Sequence, residues 1–216
     1  MMYKIAYHLV AIPADILAFN SIGSDIFCEF IEVAIHCILY NRGLYPPGVF
    51  EKRKKYNVPV NMCLHPDVSA YITNIVDSIR LMLIENAVDK VMVVMTTPDN
   101  KPAERFVFEV AKPSQNIGDD KFLYRIEESL RGFLLKLNVT ESLMKPLPAD
   151  STWSVLVYTR ESAAQSIDQG QLDKNFPWIE ADERETILLD PKIIPLKAVN
   201  SDYIQMQLYA EESAQK

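Results

Sequence analysis

The segment from Asp25 to Tyr40 is apolar on more sides than a surface helix allows. Its apolar side chains fall at positions 26, 27, 30, 31, 33, 34, 35, 38 and 39, which covers far more than one stripe of a helix. Asp25 can cap the start of this helix, and Asn41-Arg42-Gly43 is typical of a helix end. The pattern predicts a helix that is buried on most sides and that other elements surround.

The rest of the chain alternates between helical and strand periodicity. The predicted elements are helices from His65 to Leu83 and from Asp119 or Asp120 to Leu137, a hairpin of strands at 91–96 and 106–110, a core strand at 153–158, and a final strand at 203–209. These elements do not follow a strict strand–helix–strand order. A chain of 216 residues with this mixed order predicts one α+β domain with a largely antiparallel sheet.

The last quarter of the chain differs from the rest, since residues 160–200 are polar and interrupted by proline. In the final strand, Ile204, Met206 and Leu208 point to one face, and Tyr203, Gln205, Gln207 and Tyr209 point to the other. Tyrosines beside uncharged amides favour an interface on the second face, and a second, smaller buried layer is the alternative. Trp178, which lies outside the long periodic elements, either plugs an edge of the core or covers something that binds there.

Composition excludes several classes of function. The net charge of −7 argues against binding nucleic acid through a general positive field, and the six scattered glycines build no phosphate loop. Three cysteines in a chain of this size indicate a reducing compartment. No run of 18 apolar residues is present, so no membrane-spanning helix is expected. The basic run Lys52–Lys55 predicts either a nuclear-localisation or phosphate patch, or a solvated loop or binding rim.

Two kinds of chemistry remain as alternatives to a binding function. His36, Cys37, Cys63 and His65 are possible zinc ligands, although adjacent residues on a helix point about 100° apart and cannot easily share one ion. His65 is also the best-placed base for a hydrolase, but nothing in the sequence marks its partner. We therefore expect no metal, no cofactor and no catalytic residue.

Five stretches carry a resemblance to a known family. DIFCEFIEVAIH at 25–36 resembles the first helix of HORMA-domain proteins. FEKRKKYNVPV at 50–60, FPWI at 176–179, IPLK at 194–197 and MQLY at 206–209 resemble one branch of that family, the accessory subunits of translesion DNA polymerase zeta. The resemblance implies a HORMA fold: three central helices on an antiparallel sheet, with a C-terminal safety belt that wraps around an extended partner peptide.

The resemblance also implies an arrangement of the chain. Residues 1–20 form an extension of unknown role, residues 21–212 form a single HORMA domain with the belt at about 160–212, and residues 213–216 form a tail. The implied function is that of a non-enzymatic adaptor in the nucleus, with some cytoplasmic protein. It bridges the polymerase zeta catalytic subunit and the C-terminal domain of a scaffold translesion polymerase. A shieldin component in double-strand-break repair and a HORMA homodimer are further implied partners, and direct binding to nucleic acid or membrane is not expected.

Site residues follow from the same resemblance. The residues that match the family's peptide-binding aromatics are Tyr45, Tyr71 and Trp178. The residues that match its interface with the second partner are Ile193, Gln207 and Tyr209, and leucine is usual at the position of Ile193. The dimer-contact arginine of the third helix corresponds to Arg131. The implied function of the adaptor also includes a role in cell-cycle control. The closest alternative is a HORMA protein of the spindle-checkpoint type, and the alternative of a different class is the hydrolase or metalloenzyme that uses His65 and Cys63.

Overall fold

The computed structural model describes residues 21–85, 87–111, 120–159, 178–179, 181–182, 187–200 and 205–216. The helices are α1 (Ser21–Asn41), α2 (Pro66–Ile84), α3 (Asp120–Leu137) and the one-turn α4 (Thr140–Leu143). The strands are β1 (Phe50–Lys55), β2 (Val58–Cys63), β3 (Val88–Thr96), β4 (Pro102–Ala111), β5 (Thr152–Thr159), β6 (Pro191–Asn200) and β7 (Gln205–Ser213). The predicted extension at 1–20 and about half of the predicted belt lie outside the described residues.

A five-stranded antiparallel sheet carries the helices on one face. Its strand order is β5-β3-β4-β7-β6, and β1 and β2 form a separate hairpin. Helix α1 lies between α2, α3 and β2, with side chains such as Phe30, Ile35 and Ile38 fully buried. The prediction of an α+β fold around a buried first helix is therefore confirmed. Among the described residues, no helix combines the length and apolar composition needed to cross a bilayer.

The first helix begins earlier than its capping residue predicts. It starts at Ser21, so Asp25 lies within the first turns and pairs with Arg80 of α2 at 3.1 Å instead of capping the helix. The predicted end is confirmed. Gly43 has φ +65°, and the amides of Gly43 and Leu44 donate to the carbonyls of Tyr40 and Leu39, as in a Schellman motif.

The basic run is a strand rather than a loop. Lys52–Lys55 belongs to β1, which pairs with β2 through a turn at Tyr56 and Asn57. Both turn residues have positive φ, 47° and 58°, which is the geometry of a type I′ hairpin. Val58 and Val60 of β2 are buried, so they anchor the hairpin while the exposed lysines face solvent.

Strand β6 in the C-terminal region was not predicted, because its prolines are unfavourable in most strands. β6 includes Pro195, and its pairing with β7 shifts register between Pro195 and Lys197. Proline is tolerated there because β6 is an edge strand, and an edge strand needs no backbone donor on its outer side. The predicted alternation in β7 is confirmed where it is described, since Met206 and Leu208 are buried; Tyr203 and Ile204 lie outside the described residues.

Candidate functional site

Among the described strands, β5 forms one edge of the sheet and β6 forms the other. Within the described residues, β5 pairs only with β3, so no described strand occupies its outer edge. The chain leaves β5 at Thr159 and enters β6 at Pro191, four strand spacings away, which is about 19 Å. The two ends of the connection at 160–190 therefore lie at opposite edges of the described sheet.

An aromatic cluster lies beside the start of β5. The indole Nε1–H of Trp153 donates to the hydroxyl oxygen of Tyr45 at 2.9 Å. The ring of Tyr71, which is 8% exposed, meets the Trp153 ring edge to face at 5.3 Å. Trp153 packs on the helical side of the sheet together with Val155 and Val157, as the alternation of the strand predicts. The structure therefore brings Tyr45 and Tyr71 together through a third aromatic residue.

Trp178, in the segment between β5 and β6, contacts α2, the helix that carries Tyr71. Its indole Nε1–H donates to the hydroxyl of Ser78, which is buried on α2, and its ring packs against the edge of the main core. Ser78 lies seven residues after Tyr71, which places both on one face of α2, about 10 Å apart along the axis. Three residues beyond Trp178, Ala181 packs against the opposite face of the sheet. The connection therefore contacts both faces of the sheet within a few residues.

Trp153 is the residue that sequence reasoning did not assign to the site. Its place in the alternating strand identified it as a core residue, and it is one in part. The signal available in the sequence was a large aromatic residue with a polar N–H at the start of the predicted strand, since a buried indole N–H needs a hydrogen-bond partner.

The predicted second interface lies on the outer face of the sheet. Tyr209 stands opposite Pro195 of β6 and Val107 of β4, and Ile193 and Gln207 share that face at neighbouring positions. Ile193 is 60% exposed, Gln207 is exposed and Tyr209 is half-buried. The structure therefore places the three residues together.

Tyr209 also covers a small apolar layer. Its ring packs on a second buried cluster, whose members are Met92, Val94, Val107 and Leu156. Its hydroxyl donates to Glu109 Oε1 at 2.9 Å, and Lys90 pairs with the same carboxylate at 2.7 Å. Burial and then the neighbouring Glu109 raise the pKa of Tyr209, so the phenol remains a neutral donor. Tyr209 therefore fits both alternatives for this face: it packs on a smaller buried layer, and it is also partly exposed beside Ile193 and Gln207.

Arg131 lies apart from both groups. It is exposed on α3, next to Gly132, where the side chain of Lys197 packs so closely that an added Cβ would lie 2.6 Å from Lys197 Cε. The structure brings Arg131 to neither the aromatic cluster nor the outer face.

The possible zinc ligands have other roles. The backbone N–H of Cys63 donates to Nδ1 of His36 at 3.1 Å, which ties β2 to α1. Burial and then Arg53 lower the pKa of His36 to about 4, so the ring is neutral. Cys37 is a buried thiol, and His65 is exposed at the start of α2. Across the part of the chain that the structure describes, no three His, Cys, Asp or Glu side chains are placed to hold a metal ion.

Comparison with known proteins identifies the family. The HORMA domain model matches residues 24–174. The chain is 45% identical to the human protein "Mitotic spindle assembly checkpoint protein MAD2B" over 93% of this chain and 95% of that one. The chain therefore belongs to the HORMA-domain family, in its MAD2B branch. It is also 36% identical to the Arabidopsis thaliana "DNA polymerase zeta processivity subunit", over 85% of this chain and 82% of that one.

Solved structures of the same fold are more distant in sequence. A chain of the mitotic checkpoint complex superposes with a TM-score of 0.73 at 22% identity, covering 89% of this chain and 99% of that one. Caenorhabditis elegans HTP-2 bound to the HIM-3 closure motif superposes with a TM-score of 0.69 at 12% identity, covering 95% of this chain and 100% of that one. These likenesses establish the HORMA fold.

Proposed function

We propose that the chain is a non-enzymatic adaptor that captures an extended partner peptide on the outer edge of β5, beneath the connection at 160–190. The observation that carries the proposal is the vacant side of β5 among the described strands, flanked by Tyr45, Trp153 and Tyr71. An added strand gains affinity from backbone hydrogen bonds and specificity from side-chain pockets. A crossing connection then slows release, because it must move before the peptide can leave.

The captured peptide in this proposal comes from the catalytic subunit of polymerase zeta. The similarity to a plant protein named as a polymerase zeta processivity subunit supports this choice. A second partner, the C-terminal domain of a scaffold translesion polymerase, binds the outer face at Ile193, Gln207 and Tyr209. The exposure of Ile193 and Gln207 beside a half-buried tyrosine supports an interface there. The adaptor acts in the nucleus in DNA damage tolerance, and a shieldin component is a further peptide source.

Isothermal titration calorimetry with the purified chain tests the capture step. A synthetic peptide from the polymerase zeta catalytic subunit should bind tightly, and surface plasmon resonance should record slow dissociation. A peptide of the same composition in scrambled order is the control. Absence of heat with the folded protein would overturn the proposal.

A spindle-checkpoint function is the second candidate, because the human relative carries a spindle assembly checkpoint name. It uses the same mode of capture with different targets. Immunoprecipitation from cells followed by mass spectrometry separates the two. Translesion polymerase subunits support the first function, and checkpoint proteins in their place support the second.

Self-association through α3 completes the proposal. Arg131 is exposed, and its proposed role is to contact a second HORMA domain. Arg131→Ala should lower the association constant in sedimentation-velocity experiments, while the equally exposed Lys136→Ala should leave it unchanged.

A further inference from the structure

A buried cluster of four charged side chains lies at the end of the sheet where β7 finishes. The carboxylate of Glu104 on β4 is fully buried and accepts hydrogen bonds from Arg42 Nε at 2.6 Å, from Arg42 Nη2 at 3.0 Å and from Lys216 Nζ at 2.5 Å. Lys216 also pairs with Glu212 Oε1 at 2.9 Å, and its own side chain is 1% exposed. Two cations and two carboxylates balance, so the cluster carries no net charge.

The backbone of one residue, Lys145, connects this cluster to the loop before β5. The carbonyl of Lys145 accepts from Arg42 at 2.5 Å and from Lys216 at 2.6 Å, and its N–H donates to Glu212 at 2.7 Å. Buried charges are costly unless each has a partner, so the cluster is satisfied in only one arrangement of the chain. That arrangement requires β7 to lie against β4, because Glu104 pairs in register with Glu212.

The cluster lies where β7 ends, and β7 joins the β6–β7 hairpin to β4. The chain enters this hairpin at Pro191, at the edge of the described sheet opposite to β5. Lys216, which follows β7 in the chain, pairs with the carboxylates of both Glu104 and Glu212.

We propose that Lys216, Glu212, Glu104 and Arg42 form an ionic latch that fixes the β6–β7 hairpin on β4 and sets how often that hairpin opens. Because Arg42 remains to neutralise Glu104, loss of Lys216 unlocks the hairpin without leaving Glu104 as an unpaired buried charge. A consequence that rests on the proposed function is a shorter lifetime of a captured peptide.

Hydrogen–deuterium exchange of the free chain tests the latch without any peptide, so its failure is distinct from failure of peptide capture. Lys216→Met keeps the length of the aliphatic side chain and removes the charge. The variant should speed exchange of the β7 amides by at least about tenfold, while the β3 amides stay within about twofold. Lys101→Met is the matched control, since it also removes a lysine paired with a carboxylate, Asp99, but in an exposed turn.

A second variant keeps the proposal falsifiable if the first is poorly folded. Glu212→Gln retains an oxygen for the Lys145 N–H and removes the charge that faces Lys216, so it should speed exchange in β7 in the same selective way. The double variant should exceed the stronger single variant only slightly, because both substitutions break the same Lys216–Glu212 pair. Unchanged β7 exchange in both variants, or an equal rise in β3 and β7, would overturn the latch.

Discussion

Trp178 and Ser78 are joined by a hydrogen bond from the indole Nε1–H to the buried hydroxyl of α2, across 100 residues of sequence. This bond fixes Trp178 on α2, the helix that also carries Tyr71. An indole in such a position both excludes water and orders the chain around it. The residue that the family resemblance assigns to peptide binding is therefore also the residue that docks the connection.

Substitution of Trp178 should weaken peptide capture. Trp178→Ala removes the docked ring and should lower peptide affinity by about 30-fold or more, as for an interface residue worth ~2 kcal/mol. Trp178→Phe keeps a ring but loses the bond to Ser78, and should give an intermediate loss. Calorimetry with the catalytic-subunit peptide measures both. Equal affinity of the wild-type chain and Trp178→Ala would show that the connection plays no part in capture.

The Trp153–Tyr45 hydrogen bond should behave as one coupled unit. Trp153→Phe and Tyr45→Phe each remove that bond while keeping a ring, and each should lower the free energy of unfolding by about 1 kcal/mol. The double variant should lose little more than either single variant, since the bond can be lost only once. Urea unfolding followed by circular dichroism gives the three values. Fully additive losses would contradict the coupling.

Substitution of Tyr209 should weaken binding of the second partner without weakening binding of the peptide. Tyr209→Ala should weaken binding of the scaffold polymerase domain by more than about tenfold, because a half-buried aromatic is typical of the residues that carry an interface. Peptide affinity should stay within about twofold, since β5 lies three strands away. Tyr209→Phe, which loses only the bond to Glu109, is the control for folding of the outer layer. A loss of peptide binding equal to the loss of domain binding would refute separate sites.

Stability should fall in weak acid because of His36. Burial and then Arg53 lower its folded-state pKa from 6.5 to about 4, so the unfolded chain binds the proton more readily than the folded one. This contribution is complete above pH 6.5 and is lost as pH falls towards 4, by about 3 kcal/mol in total. The window from pH 6.5 to 5.5 isolates the His36 contribution from those of Glu109 and Glu212, whose pKa values folding lowers from 4.5 and whose contributions are lost only as the unfolded chain takes up protons at lower pH.

A matched pair of variants assigns that pH dependence. His36→Asn keeps an acceptor near the Nδ1 position for the Cys63 amide and cannot titrate, so denaturation at pH 6.5 and 5.5 should then give nearly equal stabilities. His65→Asn, which replaces an exposed histidine, is measured in parallel as the comparison variant. Persistence of the full dependence in His36→Asn would assign it to another group.

Periodicity predicted most of the fold because most elements bury one clear pattern. The alternation around Val155 and the helical spacing around Ile75 each match a buried face, and both elements lie where they were predicted. The β1–β2 hairpin was missed because consecutive charged residues conceal a strand whose partner supplies the buried side chains, Val58 and Val60. β6 was missed because Pro195 is acceptable only at an edge, and the strand order that makes it an edge is not visible in a single sequence.

The sequence supplied candidate residues for the site but not their arrangement in space. The resemblance supplied Tyr45, Tyr71 and Trp178, but their arrangement around Trp153 depends on contacts between elements far apart in sequence. The ionic cluster at Glu104 escaped detection because isolated acidic and basic residues are usually solvated, and only the fold brings these together.

The most direct test is hydrogen–deuterium exchange of β5 with and without the catalytic-subunit peptide. Addition of the peptide as a strand should slow exchange at those amides of Thr152–Thr159 that are not bonded to β3, because each gains a backbone partner. Exchange in the exposed strand β1 should not change. Tight binding with unaltered exchange in β5 would contradict capture at this edge.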